Sequence, residues 1–465
     1  MQHKLKTTMN IVRIIRKSAC AAVILAAALF SVSCDKDENF GISGSDEGIS
    51  YDYPGRRTAH VENRRVLLFY ECGFNELYSY LRDNMDSEKF GLPKGYLPGS
   101  GRNDDVVLIF SKLAKNQSYK NVPSYLRRVY KDLEGNMVSD TLKIYPESTV
   151  AASSATMKEV LDYVKALFPA KGYGMVFASH GSGWLPNGYY NSPSQFEREH
   201  RHSNGSKYSR RMMSLSYPDI PEGNMATDDP YSGMVRSIGQ DKMSYGDQEM
   251  SIKEFAEGIP YHLDYLFFDM CFGGGIEVAY GLKDKADYLG ISPAEVLADG
   301  MFDYTKLVSF LLEGPTPDLL GLFTDSFERY NKRSGDTRSA TVTLVRTDGL
   351  ENLASVCKTL VSKYSSAIAN APVSEIQGYF RYNRHYFYDL EDTFDKCGVS
   401  AEDMATLRNA ISRTIIYKNA TPSFLGEFDI KTYSGYSMYI PCAGSNILNY
   451  YFMDEAWNKA VGLVN

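Results

Sequence analysis

The sequence predicts an α/β fold in which a mostly parallel sheet is buried between layers of helices, and three observations carry that expectation. Short apolar runs without polar alternation recur, as strands covered on both faces require: RRVLLFY (64–70), DDVVLIF (104–110), GYGMVFAS (172–179), LDYLFFD (263–269) and DYLGISP (287–293). Helical patterns separate the later runs, which is the alternation of an α/β chain rather than of segregated layers. The composition, 43% apolar and 23% charged, is globular, and 465 residues are enough for two or three domains.

Taken in order, the chain opens with a segment unlike the rest. Lys4, Lys6, Arg13, Arg16 and Lys17 precede an apolar stretch from Ala19 to Phe30 and then SVSC, ending at Cys34. A basic start, an apolar stretch too short to span a bilayer and small residues before a cut describe an export signal. Its end resembles a bacterial lipoprotein signal, in which Cys34 is lipidated, although Ser31 stands where an aliphatic residue is usual. The acidic CDKDENFG that follows resembles the signal for the outer face of an outer membrane. The expectation is a protein anchored by lipid to the outer membrane of a Gram-negative bacterium and exposed at the cell surface. Residues 34–60, rich in Gly, Ser and acids, read as a flexible tether.

A body spanning 61–310 holds the strands. Within it SSATMKEVLDYVKALF (153–168) reads as a helix capped by Ser154 or Thr156, with Val160, Leu161, Val164 and Leu167 on one face. A glycine-rich step precedes a second helix, GIEVAYGLKDKA (275–286). A C-terminal mixed α/β region, 311–465, is expected to pack on this body. Helices are predicted at about 302–313, 317–332, 350–370, 400–412 and 446–461, with strands at SATVTLV (339–345) and YSGYSMYIP (433–441). The segment 187–235 is polar and rich in Tyr, Ser, Pro and Gly, and is longer than ordinary connections, which marks it as a functional or disordered insertion.

Charge and cysteine usage narrow the function classes. The first 33 residues carry five of the 50 basic residues and none of the 57 acids, so their removal takes the net charge from −7 to −12. An acidic mature chain excludes a nucleic-acid partner of the backbone-binding kind and favours cationic ligands. Beyond Cys20 and Cys34, five cysteines remain, an odd number that leaves at least one thiol unpaired. None has the close paired spacing of a zinc site, so no metal is assigned.

Two strands end in residues that make a reactive pair. GMVFAS delivers His180 and LDYLFFDM delivers Cys271, both at the carboxyl edge of the sheet, where α/β folds bind ligands. Imidazole and thiol facing one cleft form a dyad for attack on a carbonyl carbon. Phe272, Gly273, Gly274 and Gly275 follow the cysteine and lead into a helix, whose N-terminal field favours thiolate. The amides of Gly181 and Cys271 are the oxyanion-hole candidates, and Trp184 is either a cleft wall or core. A buried structural role for Cys271 is the alternative on residue type alone.

SHGSGW (179–184) and FDMCFGGGIEVAYGLKDKADYLGISPAEVLADGMFDY (268–304) together resemble the clostripain family of cysteine peptidases, in the clan of caspases, legumains and gingipains. The matching positions are His180-Gly181, Asp269-x-Cys271, Glu277 and Tyr280, Ser292 and Glu295, and Gly300 and Tyr304. YDLEDTF, SGYSMYIP and YYFMDEAWNKAV match more loosely. The resemblance implies a caspase-like α/β/α sandwich and an endopeptidase with His180 as acid and base and Cys271 as nucleophile, needing no third orienting residue and working through a thioester. It implies protein or peptide substrates with Arg or Lys at P1, held by carboxylates in the S1 pocket; Asp269 and Asp299 are those carboxylates here. No cofactor is required, though calcium serves some members; no calcium-binding loop is visible in this sequence. Self-cleavage between the two motifs is expected near KYSRR, at Lys207, Arg210 or Arg211, in an insertion longer than the family's usual one. Two other readings remain: a catalytically inactive surface-anchored binding lipoprotein with a peptidase-like fold, and a thiol transpeptidase on the same dyad.

Overall fold

The structure, a computed structural model, describes residues 64–88, 92, 105–131, 136–189, 193–203, 237–244, 246–381 and 385–464. Its strands include β1 (Arg65–Gly73), β2 (Val106–Leu113), β3 (Ser124–Lys131), β4 (Met137–Tyr145), β5 (Gly172–Ala178), β6 (Ile238–Met243), β7 (Gly246–Met250), β8 (Leu263–Asp269), β9 (Ala286–Ile291), β10 (Thr341–Arg346), β11 (Tyr388–Asp389) and β12 (Ile415–Ala420). The helices that position the site are α1 (Tyr78–Glu88), α2 (Ser154–Leu167), α3 (Pro193–Ser203), α4 (Ile252–Gly258), α5 (Ile276–Gly281), α6 (Tyr304–Leu312), α7 (Leu319–Asn331) and α8 (Leu350–Lys363).

Nine strands form one sheet in the order β12-β10-β9-β8-β5-β1-β2-β3-β4. The central five, β2-β1-β5-β8-β9, are parallel, and the outer two on each side join antiparallel. The unalternating apolar runs are the central strands, buried on both faces as parallel strands must be. On one face Leu68, Tyr70 and Cys72 of β1 join Phe177 of β5 and Leu266, Phe268 and Met270 in a single core with α2, α4 and α8. On the other, Phe69 meets Tyr304, and Phe267 meets Phe302 and Phe323, so α6 and α7 close that side.

The C-terminal region is more than a layer packed on the body. β10 and β12 complete the sheet beyond β9, so the boundary expected near residue 310 falls inside one sheet. The helix expected at 446–461 is two, Asn446–Phe452 and Ala456–Val461. The run 433–441 contributes only Ser437–Met438, paired with β11. The cap of α2 is Ser153, whose side chain accepts the Thr156 amide, one position before the predicted Ser154. Part of the expected insertion is ordered: α3 packs Phe196 against Tyr189 and Tyr451.

The hairpin β6–β7 sits beside the carboxyl edge. Asp241 of β6 is wholly buried 3.6 Å from Lys112 at the end of β2, and it accepts the Ala151 amide at 2.6 Å. Burial raises the Asp241 carboxyl to about 6, and Lys112 opposes the rise.

Candidate active site

β5 and β8 are hydrogen-bonded neighbours with Ala178 opposite Asp269. His180 and Cys271 therefore each lie two residues beyond the same registered pair, on strands spaced about 4.8 Å. Gly181 permits this closeness. A Cβ there would lie 2.7 Å from Met270 Sδ and 2.8 Å from the Cys271 carbonyl oxygen, so any side chain would force the strand ends apart.

The backbone around His180 is clamped by β6. Gly239 donates to the His180 carbonyl at 3.0 Å and Ser182 donates to the Ser237 carbonyl at 2.9 Å. Ser179 Oγ donates to the Cys72 carbonyl at 2.7 Å and accepts the Gln240 amide at 3.2 Å. The imidazole is partly exposed, with Nε2 3.7 Å from a carboxylate oxygen of Glu76. Glu76, in the turn after β1, also pairs with Lys242.

The thiol of Cys271 is held by the chain that follows β9. Sγ accepts the Val296 amide at 3.3 Å and lies 3.6 Å from the Val296 carbonyl, to which S–H donates. Burial pushes the thiol up to about 12, and the Glu295 carboxylate adds to the rise. Both effects run opposite to the low thiol pKa expected from the helix that follows. The helix beyond it, α5, has only six residues and starts at Ile276, too short and too far to outweigh desolvation and a nearby anion. Phe272 has φ 55, a left-handed conformation that costs a bulky residue about 1–3 kcal/mol. Its ring stacks on Phe387 at 4.3 Å and 11°, and its amide donates to Ala294 at 2.9 Å, which together hold the turn. The amides of Gly181 and Cys271, the oxyanion-hole candidates, have no hydrogen-bond partner among the described residues.

The remaining motif residues brace this turn. Glu277 is buried, with one oxygen accepting the Tyr439 amide at 2.9 Å. Ser292 shares a hydroxyl hydrogen bond with Thr341 at 2.7 Å, and Glu295 pairs with Arg381 at 2.8 Å.

The two predicted S1 carboxylates differ. Asp269 is buried and accepts the Met301 amide at 2.8 Å and the Tyr304 hydroxyl at 2.5 Å. Gly300 has φ 82, and a Cβ there would lie 2.5 Å from Asp269 Oδ2, so glycine is required for this turn to close on the carboxylate. Asp299 is held within its own chain: half-exposed, it pairs with Arg329 of α7 at 3.0 Å and with Arg333, just beyond that helix, at 2.6 Å, and accepts from Tyr330. With two guanidiniums of its own chain on it, Asp299 is no open acceptor for a substrate cation, and these partners hold its carboxyl below the usual range.

Of the two roles left open for Trp184, the structure places it in the core. It is 3% exposed, against Tyr439 at 4.4 Å and Phe452 at 5.0 Å, so its apolar faces have no cleft to line. Cys34, Lys207, Arg210 and Arg211 lie outside the described residues. Cys72, Cys271, Cys357, Cys397 and Cys442 are all free thiols.

Sequence reasoning missed Glu71, Glu76, Asn84 and Val296. Glu71 alone carried a signal, an acid within the apolar run of β1, as Asp269 is within β8.

A thiol and an imidazole at the ends of adjacent strands are the groups of a cysteine-hydrolase type of site. The clostripain family model matches residues 221–460, a span that includes Cys271 and begins after His180, and the chain belongs to that family of cysteine endopeptidases. Among solved structures, an inactive zymogen C11 protease from Parabacteroides distasonis is 25% identical, with 86% of this chain and 98% of that one covered at a TM-score of 0.64. A secreted C11 cysteine protease from Bacteroides thetaiotaomicron shares the fold at 23% identity, TM-score 0.64 and coverage of 86% and 99%. One from the same organism in complex with an irreversible peptide inhibitor also shares the fold, at 20% identity, TM-score 0.64 and coverage of 86% and 99%. No curated protein matches the chain.

Proposed function

We propose that the chain is an exported, lipid-anchored endopeptidase that cleaves after Arg or Lys, with Cys271 as nucleophile and His180 as acid and base. The observation that supports this reading is the β5/β8 register: Ala178 is opposite Asp269, so residues 180 and 271 each follow two positions after one paired row. As sulfur attacks the scissile carbonyl, the imidazole takes the Sγ proton and the carbonyl electrons move onto oxygen, within reach of the Gly181 and Cys271 amides. Collapse expels the amine, which takes the proton back from the imidazolium. Water then adds to the thioester with His180 as base, releasing the acid and the thiol. A thiol raised to about 12 supports proton transfer in step with attack rather than a standing thiolate.

The buried Asp269 and the acidic mature charge support a basic P1 residue. The inhibitor complex of the Bacteroides relative supports a peptide substrate. Self-cleavage at Lys207, Arg210 or Arg211 belongs to the same reading, as do lipidation at Cys34 and surface display on the outer membrane. A panel of fluorogenic peptides varied at P1, with and without calcium, tests it beside Cys271→Ala. The expected result is hydrolysis after Arg or Lys that Cys271→Ala abolishes, together with a chain that migrates uncut only in the variant. Hydrolysis that survives Cys271→Ala, or that ignores P1, refutes it.

A further inference from the structure

We propose that Glu71 is the second carboxylate of the pocket that receives the P1 side chain, acting with Asp269 on an ammonium or guanidinium. The inference rests on the peptidase reading above and deepens it.

Register places the two acids together. Glu71 of β1 is opposite Ala178 of β5, and Ala178 is opposite Asp269 of β8. The three form one row across the sheet, on the face opposite to Tyr70, Cys72 and Met270, which belong to the other core. The residue between the acids is an alanine, so a single methyl separates two carboxylate-bearing side chains. The row lies two residues short of His180 and Cys271, a depth of about 6.6 Å along extended strands. That depth suits the four-carbon stem of a lysine or the slightly longer reach of an arginine entering beside the reactive sulfur.

Glu71 itself lacks a donor. Glu71 is 0% exposed, and neither of its carboxylate oxygens has a hydrogen-bond partner among the described residues. Asn84 Nδ2, from α1, is also unpartnered and lies beside Gly300 together with Asp269 Oδ2. Asp269 has one donor on each oxygen and keeps acceptor capacity on both. Buried acids without donors are costly in a fold. A guanidinium brings five N–H groups and a positive charge, which satisfies both acids at once. Burial and the neighbouring Asp269 raise the Glu71 carboxyl well above its ordinary value, the direction that a cation between the two acids would oppose.

The test compares kcat/KM for matched peptides with P1 Arg, Lys and citrulline, the uncharged isostere of Arg, in the wild type, Glu71→Gln and Glu71→Asp. Glu71→Gln is expected to lower the Arg-to-citrulline ratio at least tenfold, through the Arg peptide. Its melting temperature and stoichiometric alkylation of Cys271 report that fold and nucleophile are intact. Glu71→Asp is expected to keep the preference for charge and to change the Arg-to-Lys ratio several-fold, because the carboxylate is withdrawn by one methylene. A wild type that prefers Arg, with Glu71→Gln keeping that preference, overturns this inference alone. Should Glu71→Gln fail to fold, an unchanged Arg-to-Lys ratio in Glu71→Asp overturns it. A wild type indifferent to Arg against citrulline removes the basic-residue reading and this inference together.

Discussion

Replacing Glu277 by Gln is expected to change how stability depends on pH. Glu277 is 1% exposed at the start of α5, with one oxygen accepting the Tyr439 amide and the other unpartnered among the described residues. Burial raises its carboxyl from 4.5 to about 8, and the Tyr439 amide only partly opposes this. Between those values the folded chain keeps a proton that the unfolded chain releases, so stability falls as pH rises, by up to about 1.4 kcal/mol per pH unit. The contribution is fully present below pH 4.5 and is lost as the pH rises through about 8. By pH 8 the loss has a ceiling of about 4 kcal/mol. Gln keeps the oxygen that accepts from Tyr439 and places an amide where the acid holds its proton, so it lacks this slope. Urea melts at pH 5, 6.5 and 8, in a Cys271→Ala background to prevent self-digestion, measure the difference directly. Asp241 and Glu455 also have raised carboxyls, but they contribute equally to both proteins and cancel. The expected result is near-equal stability at pH 5 and a Gln variant more stable by a few kcal/mol at pH 8. Parallel curves would refute the buried, protonated state of Glu277.

Two further outcomes follow from the same geometry. Gly181→Ala requires the strand ends to part by about half an ångström, the tolerance of a productive constellation. Its kcat/KM should fall roughly 10- to 100-fold, and unchanged kinetics would contradict the close approach of Gly181 to Cys271. Lys112→Met leaves Asp241 buried without its cation and should cost about 3–5 kcal/mol in urea unfolding, partly restored by adding Asp241→Asn. A loss below about 1 kcal/mol would show that the pair does not hold β6 to the sheet.

The centre of the fold was legible because its strands are apolar on both faces, and in a globular chain a short run of that kind needs cover from both sides. β5 and β8 announced themselves that way, and the residues ending them, His180 and Cys271, were readable as strand-end chemistry. The sheet edges were not. β4, the edge strand, reads MVSDTLKIY, where polar and apolar residues mix because it is only partly buried, while β3 reads SYLRRVYK and buries Arg127 and Arg128 among its apolar residues, which no local pattern foretells. β12 follows directly on the helix Ala401–Thr414, with no turn residue to mark the change. The state of the thiol was hidden too, since Glu295 and Val296 reach Cys271 only through the path of the chain after β9. Asp299 had the right residue type in the right motif, yet Arg329 of α7 and Arg333 just beyond it claim its carboxylate, and no local pattern connects them to it. Glu71 failed in the opposite way. Its meaning comes from register across β5, which is set by tertiary pairing and not by spacing along the chain.

The seam between β5 and β8 has one more consequence. Every strand from β1 to β5 precedes the segment 204–236, and β6 to β12 follow it. A cut anywhere in that segment therefore divides the enzyme into two polypeptides, one bearing the imidazole and the other the sulfur. The halves would remain joined by the β5/β8 ladder, by β6 bonded to the backbone around His180, and by the ion pair of Lys112 with Asp241. The mature peptidase would then be a heterodimer by cleavage, with its reaction centre on the subunit boundary and its activity lost on dissociation of the two pieces.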